Sequence, residues 1–243
     1  MSERTTGDTL RVAVAGVNGR MGHVARAAVS AAPDLTFAGG FARHENAEEH
    51  IYTDLAHLLR VERPDVLVDF TLHPFSVNVA MECVSHTVRP VIGVSGWSSE
   101  ELASLDAAAR THDIGAMHVP NFALGAVLMM RFAEQAARFF PTAEIIELHH
   151  DGKLDAPSGT SRATAARIDA VTHRMPPIHS VRLRGLVAHQ EVLFGGDGEV
   201  LTIRHDSLSR DSFAAGIVMA IHRVMHLHGV EIGLDAALER SLA

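Results

Sequence analysis

Residues 147–160 read ELHHDGKLDAPSGT and bring together side chains that can transfer a proton or bind an anion. His149 and His150 are adjacent, and Lys153 follows closely in the sequence. Histidine is the side chain best suited to proton transfer near neutral pH, and lysine can bind a carboxylate or stabilise developing negative charge. These residue types predict an acid–base site that handles a carboxylate.

The end of this stretch predicts the start of a helix. Ser158 or Thr160 would cap it, and its N-terminus would offer backbone N–H groups and the positive end of the helix dipole to an anion. The alternative is a polar loop before a capped helix, because two of the 17 histidines can fall there without a function. A metal site is poorly supported, since adjacent histidines at a strand exit point apart and no cysteine or acidic ligand accompanies them.

A second motif, GVNGRMG at 16–22, follows an apolar run and opens a helical pattern. Glycines at such a position let the backbone turn tightly and approach a pyrophosphate on the helix N-terminus. The spacing predicts a dinucleotide site, and a purely structural glycine turn is the alternative.

Arg43 follows the second predicted strand, in the run GGFARHE. Sites that prefer NAD usually place an acid there to bind the ribose hydroxyls, whereas an arginine suits a 2′-phosphate. Arg43 therefore favours NADPH over NADH. The alternative is a solvated arginine, with Glu45 binding the ribose.

Two further runs lie where ligands bind in open parallel sheets. GVSGW at 93–97 ends the fourth predicted strand, where small residues could line the ligand crevice or form a tight turn before a helix capped by Ser98 or Ser99. VPNFALG at 119–125 lies at the expected domain boundary, and its Asn121 could cap the next helix or face a ligand.

The composition restricts the class of protein. With 243 residues, 47% hydrophobic and 21% charged, the chain suits one large globular domain or two small ones. A formal charge of −8 argues against nucleic acid or an anionic membrane as a partner. The single cysteine, the lack of an apolar run of transmembrane length and an N-terminus without a signal-peptide core predict a cytoplasmic protein.

The helices and strands that must position these residues follow a different pattern in each half of the chain. In the first half, short β-rich runs alternate with helical patterns, which predicts a parallel sheet covered on both faces. The predicted strands are 11–16, 35–41, 65–71, 89–96 and 113–119, and the predicted helices are 20–32, 53–62, 75–86 and 98–111.

The second half contains consecutive strand-like runs, which predict antiparallel pairing in a separate layer. The predicted helices here are 121–140, 158–172 and 212–228, and the predicted strands are 143–150, 180–189, 190–196 and 199–207. Two domains follow, one formed by residues 1–120 with 211–243 and the other by residues 121–210.

Taken together, these motifs resemble the 4-hydroxy-tetrahydrodipicolinate reductase family, also called the dihydrodipicolinate reductases. ELHHDGKLDAPSGT matches the family pattern E-x-H-H-x-x-K-x-D-A-P-S-G-T, and GVNGRMG, VDFT (68–71) and VPNF (119–122) stand around it in the family's order. The resemblance covers nearly the whole chain.

This resemblance implies an α/β fold with a Rossmann-like doubly wound parallel sheet, which the C-terminal helix rejoins. The second domain would be an α+β substrate and oligomerisation domain with a mixed, largely antiparallel sheet. The implied reaction is hydride transfer from NADPH or NADH to a cyclic unsaturated dicarboxylate, with loss of water, in lysine and diaminopimelate biosynthesis. The implied assembly is a homotetramer.

The resemblance also implies roles for individual residues. His149 resembles the catalytic proton donor, and Lys153 resembles the paired catalytic lysine. The implied substrate contacts are His150, Ser158, Gly159, Thr160 and Arg210. The implied cofactor contacts are Gly16, Val17, Asn18, Gly19, Arg20, Met21, Arg43, Gly93, Val94, Ser95, Val119, Pro120, Asn121 and Phe122.

The chain departs from the family pattern in three places. The family's Gly-Thr-Thr-Gly-Phe is GVSGW here, so Val94 removes a hydroxyl expected beside the nicotinamide and Trp97 adds bulk. The family's acid after the second strand is missing, and the connection at 172–181 is much shorter. Val94, Trp97 and the short connection leave open a reductase of another cyclic imino acid in a secondary pathway. A non-catalytic nucleotide-binding protein on the same scaffold is a separate alternative.

Overall fold

The computed structural model describes residues 9–241; residues 1–8 and 242–243, which the sequence analysis placed in the first domain, lie outside the described part. Backbone contacts divide the chain into two units. The first comprises the residues up to Phe122 together with those from Phe213, and the second is Ala123–Ser212. The predicted boundaries fall two residues before these, and the function assigned to each segment stays a prediction.

The first unit contains a seven-stranded sheet in the order β11-β6-β5-β4-β1-β2-β3, with every pair parallel. Its strands are β1 (Leu10–Ala15), β2 (Leu35–Phe41), β3 (Ile51–Tyr52), β4 (Val66–Asp69), β5 (Arg89–Ile92), β6 (Gly115–His118) and β11 (Gly229–Ile232). Its α-helices are α1 (Arg20–Ala31), α2 (Leu55–Glu62), α3 (Phe75–Ser85), α4 (Ser99–Thr111), α7 (Ala214–Val224) and α8 (Asp235–Ser241). The predicted doubly wound parallel sheet is confirmed.

The side chains of the central strand β1 are buried on both faces of the sheet. Val12, Ala13, Val14 and Ala15 of β1 have no solvent exposure. A strand covered by helices on both faces needs apolar side chains at every position, which is why RVAVAG reads as a continuous apolar run rather than an alternating one.

The second unit contains a four-stranded sheet in the order β10-β9-β7-β8. Its strands are β7 (Thr142–His149), β8 (Ile178–Arg182), β9 (Ala188–Gly196) and β10 (Glu199–Ser207), and its helices are α5 (Leu124–Ala136) and α6 (Gly159–Thr172). Only the β7–β8 pair is parallel, so the predicted mixed, largely antiparallel sheet is confirmed. A 3-10 helix at Arg210–Phe213 ends this unit.

Several predicted elements were wrong in extent. The run 180–189 is not one strand, because the chain turns after Arg182 through Gly185, whose φ is +89°. The helix predicted at 121–140 is the shorter α5, and the helix predicted at 212–228 ends at Val224. The final strand of the parallel sheet and the helix after it were not predicted.

Among residues 9–241, none of the helices combines the length and the apolar character that a membrane crossing requires.

Helix α1 approaches the glycine turn so closely that Gly22, the third glycine of GVNGRMG, has no room for a side chain. A Cβ atom on Gly22 would lie 2.2 Å from the carbonyl oxygen of Gly16 and 2.6 Å from backbone atoms of Val17. These neighbours are backbone atoms at the end of a buried strand and cannot move independently. Gly22 therefore fixes the packing of α1 against the turn.

We expect Gly22→Ala to lower the free energy of unfolding by at least about 2 kcal/mol, because overpacking against backbone outweighs the gain in helix propensity. Urea denaturation followed by circular dichroism measures this change. Ser30→Ala, at an exposed site of the same helix, is the matched control and should leave stability nearly unchanged. Equal stability of the Gly22 variant and the wild type would contradict this close packing.

Candidate active site

A cavity of about 750 Å³ opens in the first unit at the carboxyl ends of β1, β2 and β4. Gly16 begins the turn after β1 with a φ of +73°, and a Cβ atom there would lie 2.7 Å from the carbonyl oxygen of Phe70. Only glycine satisfies both constraints. The cavity is lined by Gly16, Asn18, Gly19, Phe41, Ala42, Arg43, His44, Thr53, Phe70, Thr71, Leu72 and Phe75.

The lining of this cavity fits a nicotinamide dinucleotide. Helix α1 begins at its edge with Gly19 as N-cap and no side-chain cap, so the first-turn N–H groups can face an anionic ligand. The Thr71 hydroxyl oxygen is buried without a hydrogen-bond partner among the described residues, and Thr71 lines the cavity. A bound ribose or phosphate would satisfy this hydroxyl. Thr71 ends the VDFT run, and no role was predicted for it from the sequence.

The remaining predicted cofactor contacts have different environments. Val17 is buried and its side chain would meet a Cβ atom on Gly40, so it packs inside the unit. Gly93 has no room for a side chain, because a Cβ atom there would lie 2.3 Å from the Phe70 ring and 2.9 Å from the Phe122 ring. Arg20, Ser95 and Pro120 are exposed, Met21 and Asn121 are half-buried, and Val119 and Phe122 are buried.

The turn after β5 is held from inside the unit. The Val94 side chain lies in a hydrophobic cluster with Ile92 and Leu105, so its replacement of the family's threonine changes core packing rather than presenting a side chain to a ligand. His118 is buried, and its Nε2 lies 3.0 Å from the Val94 carbonyl oxygen. Burial lowers the pKa of His118, so the neutral ring donates this hydrogen bond. The sequence analysis missed His118.

Trp97, the other departure in this turn, also bonds inside the unit. Its indole Nε1 donates to the Ser76 hydroxyl at 3.2 Å, and Ser76 donates to the buried carboxylate of Asp69 at 2.5 Å. Burial raises the pKa of Asp69. Ser98 caps α4 and forms a capping box with Glu101, so of the two predicted caps, Ser98 and Ser99, Ser98 is confirmed.

Local structure also settles two capping alternatives. The residue that precedes α5 as its N-cap is Ala123, so the alternative in which Asn121 caps this helix does not hold. Ser158 caps α6, and its hydroxyl oxygen accepts a hydrogen bond from the Ser161 backbone N–H at 3.1 Å. Thr160 lies inside the helix. A Cβ atom on Gly159 would meet no atom within 4 Å, so α6 faces open space at its first residue.

In the second unit, His149 lies at the end of β7 beside a buried carboxylate. Its Nδ1 is 2.5 Å from Oε2 of Glu147, whose side chain is fully buried. Arg182, at the end of the neighbouring β8, donates from Nη1 to Oε2 at 2.9 Å and from Nη2 to Oε1 at 2.7 Å. This bidentate hydrogen bond gives the Glu147 carboxylate a positively charged partner in the protein interior.

The pKa values of Glu147 and His149 both lie below their ordinary values. Burial by itself would raise the pKa of Glu147, but hydrogen bonds from Arg182, Ser180 and His149 outweigh burial and lower it to about 2. Burial lowers the pKa of His149; the Glu147 carboxylate opposes this change, and the positive charges of Lys153 and Arg182 add to it. Glu147 is therefore ionised at neutral pH, and His149 titrates below its usual range.

The other predicted substrate-site residues lie in the loop after β7 or at the end of the unit. Lys153 Nζ pairs with Oδ1 of Asp155 at 2.7 Å, and its charge is close enough to lower the pKa of His149. His150 is exposed in the same loop. Arg210 is exposed in the 3-10 helix that ends the unit.

Two further observations concern possible ligand sites elsewhere in the described residues. No group of three or more histidine, cysteine, aspartate or glutamate side chains suited to a metal ion occurs among the described residues. A second cavity of about 510 Å³ lies at the other end of β7, beside the shortened connection that contains Arg174, Met175 and Pro176.

No role was predicted for Glu147 or Arg182 from the sequence. A signal for Glu147 was present, because residues two apart in a strand point to the same face, so a strand through ELH puts Glu147 beside His149. Arg182 gave no local signal. It reaches Glu147 only through pairing of strands 35 residues apart in sequence.

The parallel sheet and its cavity, together with an acid–base site in the second unit, define a nicotinamide-dependent oxidoreductase. The family model for the N-terminus of dihydrodipicolinate reductase matches residues 10–122, and the one for its C-terminus matches residues 125–237. The chain belongs to the dihydrodipicolinate reductase family.

Individual relatives agree with this assignment. The chain is similar to 4-hydroxy-tetrahydrodipicolinate reductase of Geobacillus thermodenitrificans (strain NG80-2), with 43% identity over 264 aligned positions that cover 95% of this chain and 100% of the relative. The enzyme of that name from Moorella thermoacetica (strain ATCC 39073 / JCM 9320) is 43% identical, covering 95% of this chain and 98% of the relative. The structure of dipicolinate-bound dihydrodipicolinate reductase from Paenisporosarcina sp. TG-14 matches with a TM-score of 0.86 and 37% identity, covering 94% and 99% of the two chains.

The low pKa of Glu147 makes stability depend on acid pH. The folded-state pKa of about 2 lies below the ordinary value of 4.5, so Glu147 stabilises the fold fully above about pH 4.5 and loses this contribution as the pH falls toward 2. We expect Glu147→Gln to flatten the pH dependence of the free energy of unfolding across this interval, as urea denaturation at stepped pH values would measure. A slope identical to that of the wild type would show that Glu147 is not the ionised, bonded group described above.

Proposed function

We propose that this protein reduces 4-hydroxy-tetrahydrodipicolinate to tetrahydrodipicolinate in lysine and diaminopimelate biosynthesis. The reaction consumes one NAD(P)H and one proton and releases water. The bound cofactor supplies the hydride. The observation that carries the proposal is the complete E-x-H-H-x-x-K-x-D-A-P-S-G-T pattern, held in one unit with His149 at a strand end and Ser158 capping a helix.

We assign the proton donor to Nε2 of His149. Its Nδ1 is occupied by Glu147, and 14% of the His149 side chain is exposed, so the ring has a second nitrogen for the substrate. A proton donor with a lowered pKa gives up its proton readily. The activity should therefore fall as the pH rises through the pKa of His149, which lies below the usual histidine range.

The substrate carboxylates would be bound by cations and backbone N–H groups of the same unit. Lys153 is held by a single exposed carboxylate, that of Asp155, which a substrate carboxylate can replace. The open first turn of α6 at Gly159 provides N–H groups and the positive end of the helix dipole. His150, Thr160 and Arg210 complete the proposed set. The dipicolinate in the Paenisporosarcina structure is a dicarboxylate of the kind that such a set would bind.

We propose that NADPH is preferred to NADH. Arg43 lines the cavity in the first unit at the end of β2, where NAD-preferring enzymes carry an acid. His44 and Thr53 line the same cavity and add donors for a 2′-phosphate.

We propose a homotetrameric assembly through the second unit. The edge strand β10 leaves Val200 69% exposed and Leu201 38% exposed, and Leu183 beyond β8 is 59% exposed. Apolar side chains on a sheet edge and beside it are typical of a surface that another subunit covers. We also propose a cytoplasmic location, which the single buried Cys83 supports because disulfides are rare there.

The alternative of a reductase for another cyclic imino acid has little support. It depended on Val94, Trp97 and the short connection at 172–181. Both side chains make their contacts inside the first unit, and the connection leaves the β7–β8 register intact. A non-catalytic binder would have no use for the His149–Glu147–Arg182 arrangement.

A coupled assay tests the reaction. The substrate is made in the cuvette by the upstream synthase from pyruvate and aspartate semialdehyde, and the loss of NADPH or NADH absorbance is followed. His149→Gln and Lys153→Ala should each lower kcat by about 10²–10⁴-fold, the usual share of positioned acid–base groups. Full activity of the double variant, or no turnover by the wild type with either cofactor, would overturn the assignment.

Arg43→Ala should raise the KM for NADPH by about tenfold or more and leave the KM for NADH nearly unchanged, since the lost charge serves only the 2′-phosphate. Parallel titrations of the two cofactors measure this. Arg63→Ala, which removes another arginine of the first unit at the C-cap of α2, is the control. Equal changes in KM for NADPH and NADH would show that Arg43 does not bind the 2′-phosphate.

A further inference from the structure

The fully buried carboxylate of Glu147 touches the predicted proton donor and yet has no place in the proposed chemistry. It receives a hydrogen bond from Ser180, one from His149 at 2.5 Å, and two from Arg182 at 2.9 and 2.7 Å. A buried ion pair of this kind is costly to form, because both charges must leave water. Hydrophobic residues would fill the same space at lower cost, so the pair points to a task beyond stability.

We propose that Glu147 and Arg182 are positioning residues for proton transfer by His149: Glu147 fixes the orientation and tautomer of the imidazole, and Arg182 holds Glu147 and the loop that carries Lys153. This proposal rests on the proposed function, which gives His149 its role as proton donor.

The tautomer follows from hydrogen-bond chemistry. Because Glu147 is ionised, its oxygens can only accept hydrogen bonds, so Nδ1 of His149 must carry the hydrogen in their 2.5 Å contact. In the neutral ring the other nitrogen, Nε2, is then bare. Nε2 is therefore the atom that gains and loses the proton, while Nδ1 keeps its hydrogen throughout.

Arg182 links this pair to the lysine loop. Its Nη2 also donates to the backbone carbonyl of Asp155 at 2.7 Å, and the side chain of Asp155 holds Lys153. Arg182 lies opposite His149 in the parallel pairing of β7 with β8. One guanidinium thus sets the position of the carboxylate behind His149 and of the loop that presents Lys153.

The charges around His149 predict opposite effects for the two positioning residues. Glu147 faces the ring from β7, Arg182 from β8, and Lys153, paired with Asp155, from the loop; the β9 residue opposite His149 is the uncharged Ala188. Loss of the Glu147 charge removes the group that favours the imidazolium. Loss of the Arg182 charge removes a group that disfavours it.

The test is the pH dependence of kcat for Glu147→Gln and Arg182→Gln. Both variants should lose about 10- to 100-fold in kcat, because the ring or the loop is no longer held. The pH at which activity falls should move down by about one unit in Glu147→Gln and up in Arg182→Gln. A purely structural role would move both variants in the same direction or not at all.

Glu144→Gln is the matched control. Glu144 is on the same strand and also pairs with a histidine, since its Oε2 lies 2.8 Å from Nε2 of His179, but both side chains are more than half exposed. This variant should retain the kcat and the pH profile of the wild type.

A proton NMR titration of the His149 ring, assigned with His149→Gln, gives the same two shifts without any substrate. This measurement distinguishes failure of the positioning proposal from failure of the proposed function. If the two variants shift the His149 pKa in opposite directions but the wild type has no reductase activity, the positioning of the ring holds and the proposed reaction is wrong. If the wild type is active but neither variant shifts the His149 pKa, the positioning role alone is overturned.

If Arg182→Gln does not fold, Arg182→Lys keeps the charge and loses the bidentate hydrogen bond. It should then lower kcat and leave the pH profile near that of the wild type; a profile moved down as in Glu147→Gln would overturn the proposal.

Discussion

A carboxylate that is shut off from water stays ionised only if charged and polar partners replace the water. Glu147 meets this condition through Arg182, Ser180 and His149, and it does so where two parallel strands end side by side. The second unit has to supply Arg182 and Ser180 from β8, which is reached only after helix α6. The parallel β7–β8 pair in an otherwise antiparallel sheet is thus the feature that brings the arginine to the carboxylate.

The shortened connection before β8 is compatible with this constraint. The alignment with the Geobacillus thermodenitrificans relative spans 264 positions against 243 residues here, so the chain lacks residues that the relative has. The connection at 172–181, which the sequence analysis predicts to be shortened, leaves the register of this strand pair intact, because Ile178–Arg182 pairs with Ile145–His149 residue by residue. A loop can be shortened when its ends are fixed by a strand pair that the site requires.

In the first unit, the turn after β5 differs from the family pattern at Val94 and Trp97. Trp97 reaches Asp69 through Ser76, and His118 bonds to the Val94 carbonyl. These contacts hold the turn from the inside, so the loss of the family's threonine and phenylalanine changes how the turn is supported. A change in sequence at a turn that is predicted to contact the cofactor does not by itself indicate a change of ligand.

The sequence predicted the strands whose apolar runs are continuous and the glycine turn whose steric demands are local. RVAVAG and GVNGRMG are examples, since a buried strand needs apolar residues and Gly16 needs a positive φ. The split of 180–189 into a strand, a turn and a second strand could not be read, because LRGL carries both strand-like and turn-like residues. The partnership of Glu147 with Arg182 depends on strand register across the sheet, and no local pattern encodes it.

The most direct measurement is the tautomer of His149 in the free protein. Nitrogen NMR of the labelled ring, at a pH above its pKa and with His149→Gln for assignment, distinguishes a protonated Nδ1 from a protonated Nε2. A neutral ring with hydrogen on Nδ1 and a bare Nε2 is what the ionised Glu147 requires. Hydrogen on Nε2 with a bare Nδ1 would mean that Glu147 does not accept from His149, and the account of the proton donor would then be wrong.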